Sequence, residues 1–202
     1  MAVLELNDLR VHFRTSKGYS KAVDGVSFSI DEGDYLGLVG ESGCGKSTIA
    51  KAILGILPAN GEIAGGTVRF KGRVLNGLSE RELNQIRWKE LALVPQSAMH
   101  SFDPVYRIEK QLVEAYTAHE RASSRTIQAR IAELFEMVGL DRARLRDYPH
   151  QFSGGMRQRA MIAMARVLDP ALIIADEPTT GLDVIVQDQI LVRRINERML
   201  LR

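Results

Sequence analysis

Residues 35–48 read Tyr-Leu-Gly-Leu-Val-Gly-Glu-Ser-Gly-Cys-Gly-Lys-Ser-Thr, an apolar run that passes directly into a glycine-rich turn. The turn is a full match to the phosphate-binding loop pattern, in which glycines let the backbone bend and point its N–H groups at phosphates, at the start of a helix. Lys46 adds a positive charge for the β- and γ-phosphates, and the Ser47 hydroxyl suits Mg²⁺. The pattern therefore predicts an ATP site that lies between a strand and a helix.

A second nucleotide-binding element lies at residues 171–177, which read Ala-Leu-Ile-Ile-Ala-Asp-Glu. The apolar run is short enough for a buried parallel strand, and a carboxylate at the end of such a strand lies beside the phosphate loop in doubly wound sheets. We therefore expect Asp176 to hold Mg²⁺ through its water shell. One residue further on, Glu177 is expected to orient or deprotonate the attacking water.

The segment just before this acidic strand, residues 152–158, reads Phe-Ser-Gly-Gly-Met-Arg-Gln and opens an apolar-periodic helix. Ser153, Gly154 and Gly155 form the helix entrance, where a hydroxyl and exposed N–H groups make an anion site. With Met156, the string resembles the signature motif of ATP-binding-cassette (ABC) ATPases. The resemblance implies an α/β fold, that of a P-loop NTPase of the ABC type, with a β-rich ATP-binding lobe and a helical subdomain.

Further landmarks of that family occur in the expected order. Gln96 matches the Q-loop glutamine, implied to contact Mg²⁺ or the attacking water, and Asp183 matches the D-loop. The resemblance also implies that the signature segment binds the ATP of a second subunit, so that two subunits enclose ATP head to tail. The implied catalytic residues are Glu177 and Gln96, and the implied Mg²⁺ ligands are Ser47, Gln96 and Asp176. In the phosphate loop, the implied ATP-binding residues are Gly40, Glu41, Ser42, Gly43, Cys44, Gly45, Lys46, Ser47 and Thr48.

An aromatic ring upstream of the phosphate loop stacks on adenine in this family. Phe13, which ends the strand-like segment 9–13, is the first choice for this ATP contact. Tyr19, in the segment that follows, is the alternative. Because Phe13 can equally be a core residue of its strand, the sequence leaves the choice open.

Several strings outside these motifs are similar to the ATPase subunits of dipeptide, oligopeptide and nickel importers. They are Ala-Val-Asp-Gly-Val-Ser-Phe at 22–28, Ile-Arg-Trp-Lys at 86–89, Ser-Phe-Asp-Pro-Val at 101–105 and Asp-Val-Ile-Val-Gln-Asp-Gln-Ile at 183–190. The similarity implies a subunit at the cytoplasmic face of the membrane that works with transmembrane permease subunits and an identical or homologous ATPase subunit. An extracytoplasmic substrate-binding protein is implied as an indirect partner. Gly181 departs from the Ala usual in that group, which would loosen the D-loop backbone.

The composition fits a single ATPase domain over residues 1–202. The chain is 45% hydrophobic and 26% charged, and its formal charge of +2 gives no reason to expect nucleic-acid binding. Cys44 is the only cysteine, which excludes an intrachain disulfide and fits a reducing compartment. No window approaches the run of about eighteen apolar residues that a membrane span requires, so we expect membrane attachment through partners.

The chain is expected to divide into an ATP-binding core, at 1–95 and 166–202, and a helical subdomain at about 96–165. Five apolar residues in that subdomain recur on one helical face, and Gly139 ends the predicted helix; they are Ile127, Ile131, Leu134, Phe135 and Val138. A soluble ABC ATPase that acts on nucleic acid or ribosomes is an alternative, against which the short 96–153 segment argues. A nucleotide-binding fragment with little hydrolysis is a further alternative.

The segment that follows Asp183 is shorter than the resemblance implies. In the family, a switch histidine follows the D-loop after one more helix and one more strand, whereas nineteen residues, 184–202, follow Asp183 here. We therefore expect the chain to end within that helix, the sheet to lack a strand, and hydrolysis to be feeble. Apolar positions such as Ile195, Met199 and Leu200 are expected to be exposed and to promote aggregation.

Overall fold

The computed structural model describes residues 1–96, 101–176 and 199–201. The strands are β1 (Ala2–Thr15), β2 (Gly18–Asp31), β3 (Leu36–Gly37), β4 (Gly61–Phe70), β5 (Arg73–Val74), β6 (Leu91–Val94), β7 (Leu172–Ala175) and β8 (Met199–Leu201). The helices are α1 (Lys46–Leu54), α2 (Glu80–Ile86), α3 (Ile108–Thr117), α4 (Ser124–Met137) and α5 (Gly154–Ala165), with 3-10 turns at Arg142–Arg146 and Pro149–Gln151. In this part of the chain, the strands form two sheets, ordered β2-β1-β4-β5 and β3-β8-β7-β6.

The first sheet is antiparallel and is built around the long hairpin of β1 and β2. Its β1–β4 register shifts between Asn7 and Arg10. At that irregularity Gly66 has φ 76°, and a Cβ there would lie 2.2 Å from the Asp8 carbonyl oxygen. Only glycine fits such a close backbone approach, so Gly66 allows this irregularity in the pairing of β1 and β4.

The second sheet is parallel, and its register pairs Leu91 with Leu172 and Val94 with Ala175. Successive residues of β7 enter opposite hydrophobic clusters: Leu172 and Ile174 pack with α1, whereas Ile173 packs with α4 and α5. Burial on both faces explains why this strand is a continuous apolar run without alternation. The apolar run at 35–39, which leads into the phosphate loop, forms a shorter strand than its length predicts, since β3 covers Leu36–Gly37 only.

The structure confirms the predicted helix between residues 127 and 138, which is α4. This helix contributes to the hydrophobic cluster that also contains α5 residues, here called the helical cluster. All five apolar residues of the predicted stripe are 5% exposed or less, and α4 ends before Gly139, whose φ is 70°. A left-handed glycine just beyond the last turn is a common helix stop. Other buried members of the cluster come from α3, α5 and the facing side of the parallel sheet.

The expectation that the chain ends inside a helix is wrong. Met199–Leu201 is a strand, β8, that lies between β3 and β7 and is parallel to both. Leu200 pairs with Leu36 on one side and with Ile174 on the other. The backbone of β8 is therefore paired on both sides within the parallel sheet. The sheet thus contains a strand at the place where we expected one to be absent. Ile195 lies outside the described residues.

The turn between α2 and β6 contacts both the end of α1 and the helical cluster. Arg87 Nε donates to the Leu54 carbonyl at 2.8 Å, so the guanidinium binds the last turn of α1. The next residue, Trp88, has φ 66° and packs against the helical cluster. Lys89 then forms a 2.7 Å ion pair with Glu120, beyond the end of α3. Three consecutive side chains thus fasten different parts of the molecule to one turn.

Candidate nucleotide-binding site

The three predicted catalytic elements meet at one edge of the parallel sheet. The phosphate loop follows β3, Asp176 follows β7 and Gln96 follows β6. Because these strands are parallel, their carboxyl ends share an edge, which is where ligands bind in open α/β sheets. The Asp176 N–H donates to the Val94 carbonyl at 2.9 Å, so the acidic strand and the strand before Gln96 stay paired up to the site.

The phosphate loop depends on glycine at defined positions. Gly43 and Gly45 have φ 82° and 98°, in the left-handed region that other residues rarely adopt. A Cβ at Gly45 would lie 2.4 Å from the Ala22 carbonyl oxygen, and one at Gly40 would lie 2.8 Å from Cys44 Sγ. The loop therefore packs directly on the β2 backbone, with no room for a side chain at the helix entrance.

Lys46 lies inside this loop, at the first position of α1. Its ammonium donates to the carbonyl oxygens of Gly40 and Glu41, each at 2.7 Å, and Cys44 Sγ lies 3.4 Å away. The charge is thus held among the loop carbonyls, which is the position from which an ammonium can bind phosphate oxygens.

The phosphate-loop helix is arranged for anion binding. No side chain caps its N-terminus, where Gly45 is the N-cap, and no acidic residue lies in its first turn. The positive end of the helix dipole therefore points at the loop. At the other end, the Arg87 guanidinium donates to the carbonyls of Leu54 and Gly55, at 2.8 and 2.7 Å. The sequence contains no local signal for this role of Arg87, because it depends on contacts 33 and 32 residues apart.

The remaining loop residues surround the ammonium and the start of α1. Glu41, Ser42 and the Cys44 thiol are exposed, whereas Ser47 and Thr48 are half-buried in the first turn. The predicted Mg²⁺ ligands, Ser47, Gln96 and Asp176, supply hydroxyl, amide and carboxylate oxygens, which are the hard donors that Mg²⁺ prefers. The described residues hold no cluster of three or more His, Cys, Asp or Glu side chains suited to a metal. The donor set fits an ion bound by few protein ligands together with phosphate.

The signature segment forms the N-terminus of α5, as predicted. Ser153 is the N-cap, and its Oγ accepts a hydrogen bond from the Met156 N–H at 3.2 Å. Phe152 is 3% exposed and anchors the entrance, whereas Ser153 and Gly154 are exposed. A Cβ at Gly154 would meet nothing within 4 Å. The helix entrance, with Gly155 and Met156 in its first turn, is therefore open to an approaching anion.

The strand register separates the two candidates for the adenine contact. Phe13 follows the buried Val11 by two residues, so it lies on the same face of β1, and it packs half-buried against the cluster that contains α1. Tyr19 pairs with Arg14 across the hairpin. Its ring lies beside His12 on the opposite face, with centroids 6.3 Å apart, and the side chain is 62% exposed.

Two predicted site residues, Glu177 and Asp183, lie outside the described residues. Glu177 directly follows Asp176, whose backbone is held by β6. Gln96 is exposed, next to the end of β6.

Comparisons with known proteins agree with these observations. A family model described as "ABC transporter" matches residues 23–180. The chain is 45% identical over 94% of its length to a probable peptide ABC transporter ATP-binding protein, y4tR, of Sinorhizobium fredii. It is 46% identical, over 94% of its length, to the dipeptide transport ATP-binding protein DppD of Lactococcus lactis and to the oligopeptide transport ATP-binding protein OppD of Escherichia coli. The chain spans only 55% to 57% of the lengths of these three relatives.

Among solved structures, the fold is similar to that of MJ0796, described as a bacterial ABC transporter cassette in a dimeric structure. The TM-score is 0.84 at 26% identity, and the match covers 98% of this chain and 86% of the other. A second dimeric structure of MJ0796, bound to ADP and Pi, has the same TM-score at 24% identity, over the same shares of the two chains. In the part of the chain that the structure describes, no helix has the length and apolar character needed to cross a membrane.

Lys46→Ala is expected to weaken ATP binding by about tenfold to a hundredfold, because it removes a charge-assisted contact from the phosphate loop. Titration with a fluorescent ATP analogue measures the effect. Lys51→Ala is the matched control, since this exposed lysine lies on the same helix but in its last turn. Unchanged affinity in a folded Lys46→Ala variant would show that ATP binds elsewhere.

Proposed function

The chain belongs to the ABC transporter family, and from that premise we propose that it is the ATP-binding and ATP-hydrolysing subunit of an importer for peptides or related small cargo. The observation that carries the proposal is the common carboxyl edge of β3, β7 and β6, where the phosphate loop, Asp176 and Gln96 meet. An edge of this kind is the ligand site of open α/β sheets.

The chain's own residues bind the nucleotide first. The loop N–H groups and Lys46 hold the phosphates, while Phe13 stacks on adenine from the face of β1 that packs with α1. Ser47, Gln96 and Asp176 would hold Mg²⁺, which would neutralise phosphate charge at the site. Each of these groups positions the phosphates for in-line attack.

Glu177 is the residue that we assign to the attacking water. It directly follows Asp176 in the sequence, and the Asp176 N–H donates to the Val94 carbonyl at the end of β6. A carboxylate there can accept the proton of the water and orient it toward the γ-phosphate. Gln96, at the end of the neighbouring strand, supports the same geometry from the other side.

Hydrolysis requires two subunits in this proposal. The open helix entrance at Ser153 and Gly154 binds the γ-phosphate held by the partner subunit's phosphate loop, and we assign Asp183 to the contact between the subunits from its match to the D-loop. The dimeric structure of the related cassette MJ0796 supports this arrangement. The partner is an identical or a homologous ATPase subunit. ATP then stabilises the closed pair by binding both subunits at once.

The names of the relatives support import of peptides, since they are described as dipeptide and oligopeptide transport ATP-binding proteins. Transmembrane permease subunits would carry the cargo and hold the ATPase at the cytoplasmic face of the membrane. An extracytoplasmic substrate-binding protein would deliver the cargo. The formal charge of +2 gives no reason to expect a basic surface for nucleic acid.

Phe13→Ala is expected to weaken ATP binding by about tenfold, because it removes the ring that stacks on adenine. Affinity for inorganic triphosphate should stay unchanged, since that ligand has no base. Tyr19→Ala is the control on the opposite face of the hairpin. Loss of ATP affinity in Tyr19→Ala but not in Phe13→Ala would reverse the assignment.

Glu177→Gln is expected to leave ATP affinity unchanged and to slow phosphate release by about two to four orders of magnitude, the loss expected for a positioned base. Steady-state phosphate release measures it, with Glu90→Gln, which alters an ion pair with Lys71 away from the site, as the control. Turnover near that of the parent would show that Glu177 is not the base. A parent chain that binds ATP without releasing phosphate would instead indicate a nucleotide-binding function alone.

Purification of the chain from gently solubilised membranes is expected to recover integral permease subunits, and the ATPase rate should respond to their presence. Lys46→Ala should be recovered with the same permeases but without stimulated turnover, because its defect lies in nucleotide binding. Recovery with ribosomes or DNA, in place of permeases, would contradict the importer assignment.

A further inference from the structure

Arg157 joins the first turn of the signature helix to the loop that leads into it. Its Nη1 donates to the Phe152 carbonyl at 2.5 Å and to the Pro149 carbonyl at 3.3 Å. We propose that Arg157 is a positioning residue, which holds the Ser153 hydroxyl and the first N–H groups of α5 where they bind the γ-phosphate of a second subunit. The inference rests on the two-subunit ATP site proposed above.

The helix entrance needs such a support because its glycines constrain the backbone conformation only weakly. Ser153 is followed by Gly154 and Gly155, and glycine loses more conformational freedom on ordering than any other residue. The capping bond from the Met156 N–H to Ser153 Oγ spans 3.2 Å and uses one acceptor only. An anion site works well only when its donors are ordered before the ligand arrives.

Arg157 orders the entrance from the buried side. Phe152, 3% exposed, ends the segment that begins with the 3-10 turn at Pro149–Gln151, and its N–H donates to the Pro149 carbonyl at 3.2 Å. The guanidinium binds the carbonyls at both ends of that segment. Since Ser153 directly follows the Phe152 carbonyl, the position of this carbonyl determines where the signature begins.

The charge of Arg157 also remains available to the site. Among the described residues, Arg157 is in no ion pair, because the groups that its guanidinium contacts are neutral carbonyls. No acidic residue lies in the first turn of α5. The helix entrance therefore carries a positive guanidinium and the positive end of the helix dipole together.

Arg159 provides a matched control on the same helix. Its Nη1 also donates to a backbone carbonyl, that of Gly139 at 2.9 Å, just beyond the end of α4. Both arginines have a buried Nε without a hydrogen-bond partner. Both guanidinium groups thus donate to backbone carbonyls, two for Arg157 and one for Arg159, but only Arg157 contacts the segment that enters the signature.

The experiment compares Arg157→Met and Arg159→Met in a chain that also carries Glu177→Gln, so that ATP is retained. Light scattering follows dimerisation as ATP is raised, and a fluorescent ATP analogue measures affinity at protein concentrations too low for dimerisation. For Arg157→Met, the ATP concentration at half dimerisation should rise about tenfold, as for loss of a charge-assisted hydrogen bond. Single-subunit affinity should not change. Arg157→Lys should also raise this concentration, but by less, because an ammonium can still donate to a carbonyl but lacks the planar fork of the guanidinium. Arg159→Met should match the parent.

The possible results distinguish failure of the positioning role of Arg157 from failure of the two-subunit ATP site. A parent that binds ATP but dimerises neither with itself nor with an added homologous ATPase subunit overturns the two-subunit site, and the role of Arg157 with it. A parent that dimerises, with Arg157→Met unshifted or with Arg159→Met shifted equally, overturns the positioning role alone. Should Arg157→Met fail to fold, Arg157→Lys decides: a higher ATP requirement at unchanged affinity supports the role, and an unchanged requirement overturns it.

Discussion

The parallel sheet is the constraint on which the rest of the structure depends. Its strands are covered on both faces, because neighbouring residues such as Leu172 and Ile173 enter different hydrophobic clusters. A shift of one residue in the register of β7 would exchange the two sets of side chains. The same register determines the carboxyl edge, so the packing that stabilises the core also places Asp176 beside the end of β6 and two strands away from the end of β3. Fold and site are therefore specified by one set of contacts.

The phosphate-loop helix is held at both ends by groups from distant parts of the sequence. At its start, Gly45 packs against the Ala22 carbonyl of β2, and at its end Arg87 binds the carbonyls of Leu54 and Gly55. Arg87 also pairs with Glu80 at 2.7 Å, which lowers the pKa of that carboxyl through a hydrogen bond and the charge of the guanidinium. Trp88 and Lys89 contact the helical side of the molecule, so the turn that binds the end of α1 also contacts the other side of the parallel sheet.

Local patterns predicted those features whose physics is local. The glycine turn at 40–47, the Ser153 cap and the apolar stripe of α4 each follow from residues a few positions apart, and the structure contains each of them. The β8 strand was missed because the family order of elements after the D-loop implied that residues 184–202 lie in a helix, whereas the conformation of β8 comes from pairing with β3 and β7. Arg87 carries no local signal either. The assignments of Glu177, Gln96 and the signature residues to catalysis stay predictions, for which the fold provides the setting.

The two helix entrances use the same physical solution to a shared difficulty. An anion site needs positive charge and free N–H groups, yet a cation in a mobile glycine-rich segment has no fixed position. At the first entrance, Lys46 bonds to the carbonyls of Gly40 and Glu41, and at the second, Arg157 bonds to those of Pro149 and Phe152. In both, loop carbonyls hold the cation, and the cation in turn orders the loop. The ammonium is a compact point charge that can turn from carbonyls to phosphate, whereas the planar guanidinium, placed on the buried side, suits a permanent support. The difference in cation chemistry thus matches the difference between the proposed roles, in which one entrance binds the chain's own nucleotide directly and the other keeps its shape for a second subunit.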